Sequence, residues 1–458
     1  MITIVPMQAS MTSVLVMIMS LIVIILLIIK GKVNPVFAML LGAIGAGVAF
    51  GIPLDSVIPV VITGFGTTIG NIGIVILLGC TIGIILEQTG GALVIANTII
   101  KAVGKKNSAL AMMLSGYLVS IPVFSDTAIV IMTPVARTVS ARSKVPRIAA
   151  FGALNAGIMA THTIVPPTPG PLAAAGTLGV DLGLMIGLGL FVALAYSLAG
   201  YFWCSSKICL KRFPDPAKSD AVADLQVNDD FTIKTEKPLP GAPLTFACLV
   251  VPILLICINS FGRLGIPAGH PILPIMGFIG HPILALGIGV VMCFFLAYKE
   301  LSREQIGKWF SKSVDTSAFI ILATGTAGSY GFVLRASGVG EFMGAAIAGT
   351  AMPMVLIPFF VTMLLVLSNG SATVSLITGS AILLPLMPYL GLHPVIVALA
   401  LTAGASFFYH VNASHFWVVV RSDNLSMREG FFNVSGGTAI GSIAAMVVVF
   451  IMSFFVTV

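Results

Sequence analysis

Residues 161–171 read Thr161-His162-Thr163-Ile164-Val165-Pro166-Pro167-Thr168-Pro169-Gly170-Pro171. Proline and glycine here follow directly on an apolar run, 147–162, and precede another at 182–204. Proline removes a backbone donor and frees a carbonyl one turn upstream. A helix entering this stretch has to break in it. The apolar flanks place the break at membrane depth, where non-helical backbone is tolerated only against protein or a watery cavity. The stretch therefore predicts a broken membrane helix whose freed backbone groups can hold a polar solute.

The rest of the chain fits that setting. Of its 458 residues, 58% are hydrophobic and 9% charged, whereas a soluble domain carries roughly 25% charged residues. So few charges cannot cover a water-facing surface. This excludes a soluble enzyme, a nucleic-acid-binding domain and a disordered regulator. At roughly 25–35 residues per crossing with its loop, the length predicts about a dozen membrane elements. The net charge of +7 is not a stripe for nucleic acid. Its basic residues sit at the ends of apolar runs, as at Lys30 and Lys32, Lys101 to Lys106, Arg137 to Arg147, Lys207 to Arg212 and Lys299 to Lys312. That is the positive-inside pattern. The run Met11–Ile29 is too long for a cleavable signal core and reads as a first membrane helix. The six cysteines form no C-x-x-C pair and read as apolar core residues.

Apolar segments fall at 12–29, 35–51, 68–86, 108–122, 126–140, 147–162, 169–179 and 182–204, then at 242–259, 273–298, 314–334, 339–350, 353–367, 372–388, 393–410 and 434–457. Between the two sets lies a polar stretch, 213–241, rich in acidic residues. The stretch 299–312 reads as a short amphipathic surface segment. The halves resemble each other: Gly90 lies opposite Gly338 and His162 opposite His410, both pairs 248 residues apart. Charge flanks make helix 1 run outward to inward and 242–259 inward to outward, so the halves read as inverted repeats. Two pairs of short segments, 108–122 with 126–140 and 353–367 with 372–388, read as re-entrant hairpins with tips at Pro122–Asp126 and Ser368–Ser371. The fold class is thus an all-α polytopic membrane protein of two inverted repeats, with re-entrant helical hairpins and broken helices.

The hairpin tips and breaks supply the candidate site. Asp126 is a carboxylate at membrane depth, costly unless paired, hydrated or protonated. It reads as a proton carrier, or as the N-cap of 127–140. Ser125 and Thr127 add hydroxyls, and a helix N-terminus beside them attracts anions. At the second tip, Ser368, Asn369, Gly370 and Ser371 offer the same chemistry. His162 reads as a substrate or proton ligand, or as a histidine satisfied at a helix end; His410, Asn412 and Thr163 add further polar groups. Glu87, Arg335, Asp181, Arg421, Asp423 and Arg428 read as boundary or loop charges. No Walker lysine, H-E-x-x-H or G-x-S-x-G occurs, which removes ATP-driven, metalloprotease and lipase readings.

Three stretches resemble the gluconate permease family of gluconate:proton symporters. They are GCTIGIILEQTGGALVIANTIIKAVGKKNSAL, the hairpin GYLVSIPVFSDTAIVIMTPVA, and ATHTIVPPTPGPLAAA, together covering about residues 79–176. The resemblance implies a bacterial inner-membrane secondary carrier of the ion-transporter superfamily, similar to dimeric elevator carriers. On that reading, residues 1–212 are the first repeat, with scaffold helices in 1–60 and transport elements in 61–204. Residues 213–241 are a cytoplasmic linker. Residues 242–458 are the second repeat, with scaffold helices in 242–298 and transport elements in 314–458. The family's hairpin carboxylate falls on Asp126, where sugar-acid members more often carry Glu, and its His-x-x-x-Pro-Pro segment on His162 to Pro167. The smaller Phe124-Ser125-Asp126-Thr127 tip, where those members tend to Phe-Phe-Glu-Val, makes a shorter hydroxy acid as plausible as gluconate.

The sequence thus predicts import of a small hydroxylated carboxylate by proton symport. Asp126 or His162 would carry the proton, with sodium as the alternative coupling ion. The expected partners are the organic acid, the lipid bilayer and a second copy of the chain, with no nucleic acid, cofactor or metal. The competing functions are a cation/proton exchanger and a carrier for D-serine or another small carboxylate. A membrane enzyme would need a nucleophile–base pair or metal cluster, and the sequence offers neither.

Overall fold

In lipid, a chain has to satisfy its backbone internally, and helices do so segment by segment. The computed structural model describes residues 11–104, 107–143, 145–212, 239–267, 269–297, 302–340, 342, 352–422 and 424–457, and among them no strand occurs. Among the described residues, eight helices or helix runs are apolar and long enough to cross a membrane. The first half holds α1 (Met11–Ile29), α2 (Pro35–Ala49), α3 (Leu54–Gln88), α4 (Gly91–Val103), α5 (Ser108–Val119), α6 (Ser125–Ser143), α7 (Arg147–Ile164), α8 (Pro169–Leu178), α9 (Leu182–Cys204) and α10 (Lys207–Arg212). The second holds α11 (Ala242–Gly265), α12 (Ile272–Ile279), α13 (Pro282–Ala297), α14 (Arg303–Ala336), α15 (Leu356–Asn369), α16 (Ala372–Leu383), α17 (Pro394–Ala405), α18 (Ser414–Ser422) and α19 (Gly436–Met452). A one-turn helix and a π turn lead into α19.

The two longest helices, α3 and α14, have 35 and 34 residues and pack against each other antiparallel. Their crossing is built on small residues. A Cβ on Gly64 would stand 2.7 Å from the Gly328 carbonyl oxygen, and Ser329 Oγ donates to the Val61 carbonyl at 2.8 Å. At the far end Lys312 Nζ pairs with Glu87 Oε1 at 3.0 Å. Apolar side chains gain little from leaving lipid for protein, so close backbone approach and interhelical hydrogen bonds carry the association.

The same solution recurs in both halves where a hairpin meets a broken helix. Gly157 on α7 abuts the Met113 carbonyl of α5, and Thr161 Oγ1 donates to the Tyr117 carbonyl at 2.8 Å. Gly404 on α17 abuts the Phe359 carbonyl of α15, and Thr362 Oγ1 donates to the Leu401 carbonyl at 2.7 Å.

Several boundaries differ from those expected. The segment placed at 68–86 begins at Leu54, because Pro59 and the glycines of 54–67 lie inside a continuous helix. The expected divide at 60/61 between scaffold and transport elements therefore falls within α3. Residues 303–312 are not a separate surface segment. They form the first turns of α14, whose start is fixed by a capping box of Ser302 and Gln305. The single segment expected at 273–298 is two helices, α12 and α13, bent by 55° at Gly280 and His281. Most of the expected linker (213–238) and of segment 339–350 lies outside the described residues.

Candidate functional site

The proline stretch breaks a helix as its composition requires. α7 ends at Ile164, residues 165–168 are irregular, and α8 starts at Pro169, where a missing N–H is harmless. Its counterpart is the irregular stretch 406–413 between α17 and α18. The two hairpins close at 120–124, between α5 and α6, and at Gly370-Ser371, between α15 and α16. Gly370 takes φ +72°, the left-handed conformation that ends a helix in so tight a turn.

Each hairpin meets the broken helix of the other half. α16 of the second hairpin packs on α8, where a Cβ on Gly170 would stand 3.3 Å from Thr373 Cα. α6 of the first hairpin packs on α18, pinned in two places. Asp126 Oδ1 accepts from His415 Nδ1 at 3.0 Å, and Arg137 donates to the Ser422 carbonyl. The second tip also seats on the second break: Gly370 abuts the Asn412 carbonyl. Asn412 Nδ2 donates to the Leu367 carbonyl at 2.9 Å, and His410 Nε2 lies 3.2 Å from the same oxygen. The N-termini of α6, α8, α16 and α18 thus gather in one region. Each brings the positive end of a helix dipole, which favours an anion, though α8 opens on prolines without N–H groups and Ser371 already caps α16.

Asp126 lies in the first turn of α6, one residue inside Ser125, and does not cap it. Its Oδ2 accepts from Ser414 Oγ at 3.4 Å. The His415 ring is sandwiched, since its Nε2 lies 2.7 Å from Asn155 Oδ1 on α7. The His415 side chain is 5% exposed and that of Asp126 45%, so the imidazole is buried and the carboxylate is not.

The eleven residues read from sequence fall into two groups. Ser125, Asp126, Thr127, His162 and Thr163 lie at the first tip and first break. The His162 ring lies tilted beside that of Phe124, with centroids 6.4 Å apart, and its Nδ1 is buried with no hydrogen-bond partner among the described residues. The second group is Ser368, Asn369, Gly370 and Ser371 with His410 and Asn412. Within it, Asn369 Oδ1 accepts from the Ser371 N–H at 2.7 Å and Asn369 Nδ2 donates to Ser375 Oγ at 3.1 Å, so the amide shapes the tip. Ser371 caps α16. Two hydroxyls turn back on their own helices: Thr163 Oγ1 donates to the Met159 carbonyl and Ser368 Oγ to the Leu365 carbonyl. Three residues at the centre escaped the sequence reading: Ser414, His415 and Asn155. His415 stands in the same polar string as His410, and Asn155 is the one amide in the apolar α7. Neither signal identifies a partner.

Comparison with known proteins agrees with this architecture. The profile of the GntP family permease matches residues 12–455. An uncharacterised permease of Haemophilus influenzae is 35% identical over 87% of this chain and 83% of its own length. A gluconate permease of Pseudomonas aeruginosa is 31% identical over 94% of this chain and 95% of its own. The inner membrane permease YgbN of Escherichia coli is 33% identical over 89% and 91%. Among solved structures, the Neisseria gonorrhoeae efflux pump MtrF superposes with a TM-score of 0.67 at 15% identity, covering 88% of this chain and 85% of that one. The Alcanivorax borkumensis YdaH transporter gives 0.63 at 15% identity, with 88% and 90% covered. At such identity these two bear on the fold alone.

Proposed function

This chain belongs to the GntP permease family, so it is a multi-pass membrane transporter and not an enzyme, and from that premise we propose that it imports a small hydroxylated carboxylate with a proton across a bacterial inner membrane. One observation carries the reading. Four helix N-termini and a carboxylate, Asp126, meet between two hairpin tips and two helix breaks. Helix N-termini suit the substrate's carboxylate. The hydroxyl and amide groups of Ser125, Thr127, His162, Asn412 and the second tip suit its hydroxyl groups. Asp126, a half-exposed carboxylate in the apolar chain, suits the proton.

The same reading makes the halves inverted repeats and the hairpins re-entrant, moving elevator-fashion against a scaffold. The antiparallel packing of the equivalent helices α3 and α14 supports the inversion. α5 has only 12 residues and α15 only 14, too short to cross, which supports re-entry. The reading covers both a gluconate-like sugar acid and a shorter hydroxy acid.

The test is uptake of labelled gluconate into proteoliposomes under an imposed pH gradient, acid outside, with glycerate and D-serine as competitors. Accumulation that collapses with the gradient is the expected result, and the stronger competitor names the substrate class. Sodium or proton flux without any organic acid would replace the reading with an ion exchanger.

A further inference from the structure

Asp126 and His415 are a matched pair at the meeting point of the two halves, and nothing in the sequence singled out the imidazole. Both ring nitrogens face oxygens, Asp126 Oδ1 at 3.0 Å and Asn155 Oδ1 at 2.7 Å. A neutral ring needs the Asn155 amide turned to donate, whereas an imidazolium donates to both oxygens as they stand and balances the Asp126 charge. The resting site then holds one positive and one negative charge and is neutral, the condition under which ionised groups persist at membrane depth.

We propose that His415, oriented by Asn155, is the cationic ligand of the substrate, and that the substrate's carboxylate takes the place of Asp126 beside it. This rests on the carboxylate-import reading above. In the exchange Asp126 gives up its His415 hydrogen bond and takes a proton from the aqueous phase on a carboxylate oxygen. The imidazolium keeps both its protons. The empty site holds a cation and a carboxylate. The loaded site holds the same cation, the substrate carboxylate and a neutral acid. Both states are neutral, so both can cross. An anion bound without its proton would leave a net negative charge at membrane depth. Coupling follows from that imbalance.

The surroundings fit this assignment. Asp126 is the more exposed member, while His415 is sheltered. Besides His415, the imidazole acting on Asp126 is His162 on α7, and the Tyr409 ring lies 6.2 Å from that of His415. Other charged and titratable groups on the surrounding elements make their own contacts or lie at helix ends, as Arg147 does at the start of α7. Tyr117 donates to the Leu190 carbonyl, Arg137 to that of Ser422, Arg421 lies over Trp417, Glu429 caps its own short helix, and Lys101 is exposed near the end of α4.

The experiment uses the full chain in detergent with gluconate as probe, read by isothermal calorimetry and by a pH dye in weak buffer. Wild type should take up about one proton per gluconate bound, the linkage expected when one carboxylate changes state. Asp126→Asn should take up no proton per gluconate bound. His415→Gln should lose gluconate binding by well over tenfold while keeping its melting transition. His162→Gln should weaken binding yet keep the proton uptake. The ¹⁵N signals of the His415 ring, assigned by their loss in His415→Gln, should report two N–H groups in wild type and lose one in Asn155→Leu, which separates positioning from folding. Proton uptake persisting in Asp126→Asn, or wild-type affinity in His415→Gln, overturns the proposal while carboxylate import stands. Wild type binding none of gluconate, glycerate or D-serine removes both.

Discussion

At the scale of single residues, the second hairpin tip depends on backbone geometry more than on side-chain chemistry. Gly370 combines a left-handed φ with direct contact to the Asn412 carbonyl. Any side chain there is strained twice. The left-handed conformation alone costs a non-glycine residue roughly 1–2 kcal/mol. Gly370→Ala should therefore lower the melting temperature in detergent and cut transport, whereas Ser368→Ala, whose hydroxyl serves its own helix, should change stability little. Asn412→Ala frees the Leu367 carbonyl of one donor while His410 remains beside it. Its expected effect is a rise in KM with a small loss of stability, near 1 kcal/mol, read from uptake kinetics and a thermal melt.

At the scale of elements, the hairpins are held by backbone contact with the helices that precede the breaks. Gly157 against the Met113 carbonyl and Gly404 against the Phe359 carbonyl leave no room for a methyl group. Overpacking a close-packed site costs typically about 1–3 kcal/mol, and here the obstructing atom is backbone and cannot swing away. Gly157→Val and Gly404→Val should each unfold the protein at lower temperature. The comparison with Gly66→Val, where the space is open, isolates packing from helix propensity.

At the scale of the whole molecule, the matched order of long helix, hairpin and broken helix in each half makes a prediction about sidedness. If the halves are inverted, the hairpin bases open to opposite faces. Asn107 at the base of the first hairpin and Met352 at the base of the second are both exposed. A membrane-impermeant maleimide should label Asn107→Cys from the cytoplasmic face of inside-out vesicles. It should label Met352→Cys only in right-side-out vesicles. Labelling of both from one face would make the repeats parallel. Five of the six native cysteines are buried and the sixth is half-buried, so background labelling should be low.

Much of this architecture is determined by the sequence alone. Composition decides that the solvent is lipid, since 9% charged residues cannot face water over such a surface. The prolines after His162 decide where a helix breaks, because four of them within the six residues 166–171 remove successive backbone donors, where α3 absorbs only the single Pro59. Short apolar arms around Pro122–Asp126 and Ser368–Ser371 decide where hairpins turn, and Asp126 marks itself as a charge with no local partner. These are local consequences, readable within a few residues. Boundaries were less legible where packing overrides propensity, as in α3, which continues through Pro59. The partner of Asp126 was not legible at all. His415 lies 289 residues away, and Asn155 on a third helix fixes the other side of its ring. Hydrophobic periodicity tells which faces a helix buries, not which helix covers them. Only the tertiary structure, by seating the first hairpin on the second broken helix, decides which histidine meets the carboxylate.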